Sequence, residues 1–196
     1  MQRAVISIAG ALWLAAMGAR AQAPAALATP TVTAELERAR EAAAALTTEL
    51  RARLTRELAA GGPVAAVRVC SEAAQQIAAE HSRPGLRVRR VSERWRNPAD
   101  TPDAWEKEQL RRLAAAHATG ELPAEVFQVV SSGAWRVLRY LKPIVIGGPC
   151  LSCHGDPAGI DPAVAALLRE RYPEDKAVGY REGELRGAVS VVVGLP

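Results

Sequence analysis

The pentapeptide Cys150-Leu151-Ser152-Cys153-His154 constrains this chain more than any other stretch of its 196 residues. A disulfide between the two cysteines would make a redox motif, and a zinc site would need further Cys or His ligands close by. None lies near in sequence. The third cysteine is Cys70, and the other histidines are His81 and His117. A C-x-x-C-H run without such partners is the attachment signature of a c-type haem. In that chemistry the two thiols add across the haem vinyl groups, and His154 reaches the iron from the same turn. The expected cofactor is therefore one covalent haem c, held by Cys150 and Cys153 and ligated by His154.

The N-terminus sets the compartment. Arg3 is followed by an uncharged apolar run from Ala4 to Met17 and then by small residues, with A-x-A patterns ending at Ala21 and Ala23. That is the layout of a secretory signal peptide. The run is too short for a membrane span, which takes roughly 20 apolar residues. We read residues 1–21 as the signal, 22–31 as an Ala/Pro-rich flexible leader and 32–196 as one haem-binding domain, exported to the periplasm with no membrane span. The formal charge of +4 includes Arg3 and Arg20, whose removal leaves +2. Two haem propionates would cancel that, so nothing here calls for nucleic acid or an anionic membrane surface.

Apolar residues at helical spacing (Leu36, Ala39, Ala43, Leu46, Leu50, Leu54 and Leu58) predict a long helix over 32–60, ended by Gly61-Gly62. Pro63 suits the first turn of a second helix running to Glu80, with Val67, Cys70, Ala74 and Ile77 on one face. Leu86 to Val91 reads as a strand. Thr101 is expected to cap a third helix with Pro102 at its first position and Gly120 at its end. Glu125–Ser131 and Trp135–Ile146 read as strands around Gly133. Asp161 caps a short helix over 162–171. The chain closes with a hairpin, 178–181 and 185–193, turning at Glu182-Gly183. The sum is an α+β domain with about five antiparallel strands and packed helices.

This order excludes the small helical cytochromes c, whose haem motif comes early and whose second ligand is a late methionine. The only methionines are Met1 and Met17, both in the signal. A cytochrome c′-like bundle is disfavoured by the strand-like Gly187–Val193. The second ligand must come from Cys70, His81, His117, a lysine or water, or be absent. His81 reads as an exposed helix-terminal residue, and His117 as a core residue beside Leu110, Leu113 and Ala114. Cys70 on an apolar face reads equally as a small hydrophobe. The arginines of 87–96 (Arg87, Arg89, Arg90, Arg94, Arg96) are either a solvated strand face or partners of haem propionates.

Four stretches together resemble a known family: Val69-Cys70-Ser71 with Ile77-Ala78; Arg94-Trp95-Arg96-Asn97-Pro98 running on to Pro102–Glu106; Cys150–Gly155; and Tyr172-Pro173, Asp175, Ala177, Gly179-Tyr180 and Arg186–Val191. They are similar to the periplasmic haem-c domains with a PAS-like fold, long described as a domain of unknown function, which occur alone in cyanobacteria and proteobacteria and as input domains of sensor kinases. The resemblance implies a PAS-like antiparallel sheet. It also implies that the helix cysteine, Cys70, is the second axial ligand opposite His154. Asp100 stands where the family pattern has Asn.

A thiolate ligand stabilises ferric iron and lowers the potential. The resemblance and a releasable sulfur ligand point to a redox or gas sensor module acting through a signalling or redox protein partner, since no kinase or membrane segment follows the haem motif. The alternative is a low-potential electron carrier. A peroxidase-like enzyme would need a distal acid–base pair, for which only His117 is at hand, so no enzymatic activity is expected. The attachment is directly testable. The mature protein should keep its haem through acid–acetone extraction, and its mass should exceed that of a chain beginning at Gln22 or Pro24 by one haem. Haem that extracts freely would refute covalent binding.

Overall fold

The computed structural model describes residues 30–69, 73–133 and 135–196. The expected signal peptide, most of the expected leader and Cys70 lie outside the described residues. The long helix α1 (Pro30–Arg68) starts two residues earlier than the sequence suggested, so Pro30 and Thr31 belong to it rather than to the leader. Its apolar stripe buries Val32, Leu36, Ala39, Ala43 and Leu46 against the sheet, and the two alanines let the helix axis come close. At Gly61-Gly62 the helical path breaks, with Gly62 at φ 67°, and Pro63 restarts it as its fixed φ allows. Helix α2 (Ala74–Glu80) follows and buries Ala74, Ile77 and Ala78.

The sheet contains β1 (Leu86–Val91), β2 (Val126–Ser132), β3 (Trp135–Val145) and β4 (Leu185–Leu195), all antiparallel in the order β1-β4-β3-β2. The described residues thus hold four strands rather than five. The stretch 178–181, expected as a strand, is irregular because its backbone donors go elsewhere. Gly179 N–H donates to Gly155 O at 2.7 Å and Tyr180 N–H to His154 O at 2.9 Å. It straps the haem-motif turn instead of extending the sheet. The β2–β3 turn falls at Gly133 as expected, and β1 has the predicted bounds.

The two sheet faces divide the core. Side chains alternate along each strand, so Val88, Tyr140 and Val191 lie in one cross-strand row under α1 and α2. Val91, Leu141 and Ala188 face the other way, against Leu110 and Leu113 of α3 (Ala104–Ala118). Helix α3 begins after Asp103, not at Thr101. Asp103 accepts from Glu106 N–H at 2.9 Å while Glu106 Oε2 accepts from Asp103 N–H at 2.8 Å, a reciprocal cap. Pro102 therefore precedes the cap. The expected Asp161 cap of α5 (Pro162–Arg171) is present. Among the described residues no helix is long and apolar enough to cross a membrane.

Glu106 also locks α3 to the sheet. It is fully buried, accepts from Ser190 Oγ at 2.6 Å and pairs with Arg89 and with Arg139. Arg89 is thus neither a solvated residue nor a cofactor partner; it is the counterion of a buried carboxylate. Replacing Glu106 by Leu would leave two arginines facing an apolar side chain. Removing one partner of a buried pair costs about 3–5 kcal/mol. Because Arg89 keeps a fifth of its side chain exposed, we expect about 3 kcal/mol in urea unfolding, with an unchanged m-value. A loss under about 1 kcal/mol would show that the network is not what holds α3.

Candidate functional site

The motif residues occupy a tight turn. A 3-10 turn (Gly148–Cys150) begins at Pro149's preset φ and runs straight into α4 (Leu151–His154). Cys150 and Cys153, three apart, therefore share one side of a single helical turn. The turn is held from outside: Glu182 Oε1 accepts from Gly148 N–H at 2.9 Å, and Gly155 N–H donates to Leu151 O at 2.9 Å. Gly155 admits no side chain, since an added Cβ would lie 2.6 Å from Leu151 O.

Cys150, Cys153 and His154 all line one cavity of about 490 Å³ between α1, the sheet and the motif turn. Its apolar wall continues the stripe of α1 beyond the sheet, where Leu50, Leu54 and Leu58 are only half-buried. Val189 and Ile144 form part of the floor. His154 Nδ1 donates to Ala177 O at 2.6 Å. A carbonyl can only accept, so the proton sits on Nδ1 and Nε2 carries the lone pair. Burial pushes the His154 pKa well below its ordinary value, and the charges of Arg96, Arg186 and Arg90 push in the same direction. A neutral imidazole with its outer nitrogen pinned is the usual state of a metal-ligating histidine.

The other sequence candidates separate cleanly. His81 pairs with Glu49 at 2.8 Å on the outside of the helices, and His117 lies on α3, across the sheet; neither lines the cavity. Cys70 lies outside the described residues, while Val69 and Ala74, its neighbours in sequence, line the cavity. Of the five arginines of 87–96, Arg90 and Arg96 line it. Arg94 instead stacks over Tyr180, 3.8 Å from the ring centroid, and donates to the Lys176 carbonyl at 3.3 Å. Three cations of the wall escaped attention in the sequence, Arg51, Lys142 and Arg186. They are scattered over α1, β3 and β4, and only the fold assembles them. Among the described lining residues Asp100 is the one carboxylate; it accepts from Gln75 at 2.8 Å and lies 3.5 Å from Arg90.

Arg96 fastens the site together. Nearly fully buried, it donates through Nε to Asp175 Oδ2 at 2.9 Å and through Nη2 to the carbonyls of Cys153 and Ala177. One guanidinium thus joins the motif turn to the loop that positions His154. We expect Arg96→Met to lose about 3–5 kcal/mol of stability, because it leaves Asp175 without its partner. The Gly179 and Tyr180 amides should then exchange with solvent markedly faster. Arg96→Lys should recover less than half the loss, since an ammonium cannot span the three acceptors. Full recovery in Lys would make Arg96 a simple point charge.

Comparison with known proteins agrees with this architecture. A family model described as Tll0287-like matches residues 18–194. The crystal structure of the cyanobacterial haem-protein Tll0287 is 30% identical, with a TM-score of 0.50, over 63% of this chain and 68% of that one. None of the curated proteins compared with the chain matches it significantly. A match spanning nearly the whole sequence, together with a related solved structure, shows that this chain belongs to the Tll0287-like family.

Proposed function

We propose that the chain carries a single haem, bound through thioether bonds at Cys150 and Cys153 with His154 and Cys70 as axial ligands. We further propose that it acts in the periplasm as a redox- or gas-responsive module rather than as an enzyme. The observation that carries this reading is the motif turn, which lines one cavity with two thiols and a neutral, pinned imidazole. The donor set fits the group. Two thiols sit on one side of a turn, a nitrogen lone pair is available, and an apolar helix stripe covers the cavity. The volume lies within the roughly 300–1,000 Å³ of cofactor-sized sites. The likeness to a cyanobacterial haem-protein supports the same reading, and the N-terminal signal pattern supports export.

When bound, the haem supplies a one-electron centre and a coordination position for a diatomic gas. His154 would hold the iron through Nε2, and Cys70 would be the second ligand, as a thiolate that binds ferric iron more strongly than ferrous iron. A ligand whose hold depends on the oxidation state would give the site two states biased by one electron, which is what a sensor requires.

Carbon monoxide is the test. It should bind the reduced protein promptly and the oxidised protein not at all. Cys70→Ala should keep the haem attached, lose the thiolate charge-transfer features of the ferric spectrum and raise the potential. A reduced protein that refuses carbon monoxide would make it an electron carrier, and an unaltered spectrum in Cys70→Ala would remove Cys70 from the ligand set.

A further inference from the structure

β3 and β4 pair regularly from Arg136 opposite Leu195 to Ile144 opposite Gly187, and then Val145 pairs with Leu185. Arg186 is the residue left over, the extra position of a β-bulge. By alternation it would share the α3 face with Ala188 and Ser190. It lines the cavity with Gly187 and Val189, and it also borders a small cleft with Leu110 and Leu185, so the bulge lets it reach the cavity from the strand edge. Re-aiming a side chain toward a site is a recurrent use of bulges. Gly187 makes this one possible. Its φ is 151°, and an added Cβ would stand 2.3 Å from the Val91 carbonyl oxygen.

The redirected guanidinium is held by one corner. Nη1 donates to Ser92 Oγ at 2.7 Å and to Arg94 O at 3.0 Å, and the Tyr180 ring lies beneath it. Nε and Nη2 have no hydrogen-bond partner among the described residues. Burial lowers the Arg186 pKa, and the nearby charges of Arg90 and Arg96 disfavour its charged form further. Among the described lining residues five cations, Arg51, Arg90, Arg96, Lys142 and Arg186, stand with one carboxylate, Asp100. Arg96 is already committed to Asp175, and Arg90 meets Asp100 only at 3.5 Å. Arg51 and Lys142 are solvent-exposed. Arg186 is therefore the lining cation whose Nε and Nη2 meet no acceptor among the described residues, and Arg90, paired with Asp100, stands near it. Both lie near enough to His154 for their charges to act on its ring.

We propose that Arg186, with Arg90 beside it, is the carboxylate clamp of this cavity and binds a propionate of the haem held at Cys150 and Cys153. A guanidinium whose Nε–Nη2 edge is open matches a carboxylate in geometry as well as charge. The proposal rests on the haem reading above. It makes Arg186 a positioning residue that would act on the ligand's carboxylate and not on its thioether bonds.

The experiment is a titration of the haem midpoint potential against pH in the holoprotein. Protonating a propionate favours the reduced form, so the potential rises as pH falls through that ionisation. A clamping guanidinium holds the inflection low. Arg186→Gln should move it up by about one to three pH units, the usual effect of an opposite charge on a carboxylate. Arg186→Lys, which keeps the charge but loses the two-pronged donor, should move it up by less. The haem mass should be unchanged in both, because attachment is covalent elsewhere. If Arg186→Gln does not accumulate as holoprotein, Arg186→Lys decides on the same criterion. An inflection that stays at the parental pH with the haem mass in place would overturn the clamp. A parent protein without the haem mass would overturn the haem reading itself, and the mass measurement separates the two failures.

Discussion

The site depends on one buried guanidinium. Arg96 meets a carboxylate, Asp175, and two carbonyls, those of Cys153 and Ala177. The Ala177 carbonyl in turn accepts from His154 Nδ1. The chemistry-bearing turn is four residues long and could not keep one conformation by itself, since a short helix has little stability without tertiary support. Its order comes from the 175–180 segment, which Arg96 ties down and whose own amides donate to the carbonyls of His154 and Gly155. A buried charge would ordinarily be a liability. Here every attachment is satisfied, and removing it would leave Asp175 uncompensated.

The sheet separates two kinds of polar interior. On the α3 side, Glu106, Arg89, Arg139, Ser190 and Asp103 form a closed network in which each charge has a counterpart. It pins a helix and leaves no room for a ligand. On the α1 side the charges stay open. Arg90, Val189 and Lys142 occupy one cross-strand row of the cavity floor, where Arg90 meets Asp100 at 3.5 Å and apolar helix residues make up much of the wall. The same residue types thus do structural work on one face and leave an anion-seeking surface on the other. The difference is only whether α3 or α1 lies above them.

Cavity and helix stripe are likewise two uses of one pattern. The apolar stripe of α1 runs through Leu36, Ala39, Ala43 and Leu46 to Leu58, but the sheet covers only the first part. Where it ends, Leu50, Leu54 and Leu58 remain half-exposed and become the apolar wall. A helix longer than the sheet it packs on has to leave apolar surface over, and here that surface faces the two cysteines and His154.

Much of this was legible from the residues in order. The spacing of apolar positions located α1, β1, β3 and α5, and Gly61-Gly62 located the break in the first helix, because these signals are local: periodicity, a glycine at positive φ, a proline at a first turn. The triad Cys150, Cys153 and His154 was readable for the same reason, since five adjacent residues fix their own geometry on one turn. The fifth strand was misread because a β-like stretch at 178–181 found its acceptors on the motif turn, which only folding brings near. The start of α3 was misplaced because Thr101 and Asp103 are both good caps, and the choice went to the one three residues before Glu106. The Arg87–Arg96 cluster could be seen but not sorted. Whether an arginine meets Glu106, Asp175, Tyr180 or an open cavity depends on residues up to 86 positions away. The role of Arg186 was hidden altogether, because a bulge is a mismatch between two strands and exists only once they pair. The sequence by itself determined that Cys150, Cys153 and His154 share one turn, because five adjacent residues fix their own geometry. The tertiary structure alone decided which charges stay unpaired around it, because desolvation and counterions are properties of packed neighbours.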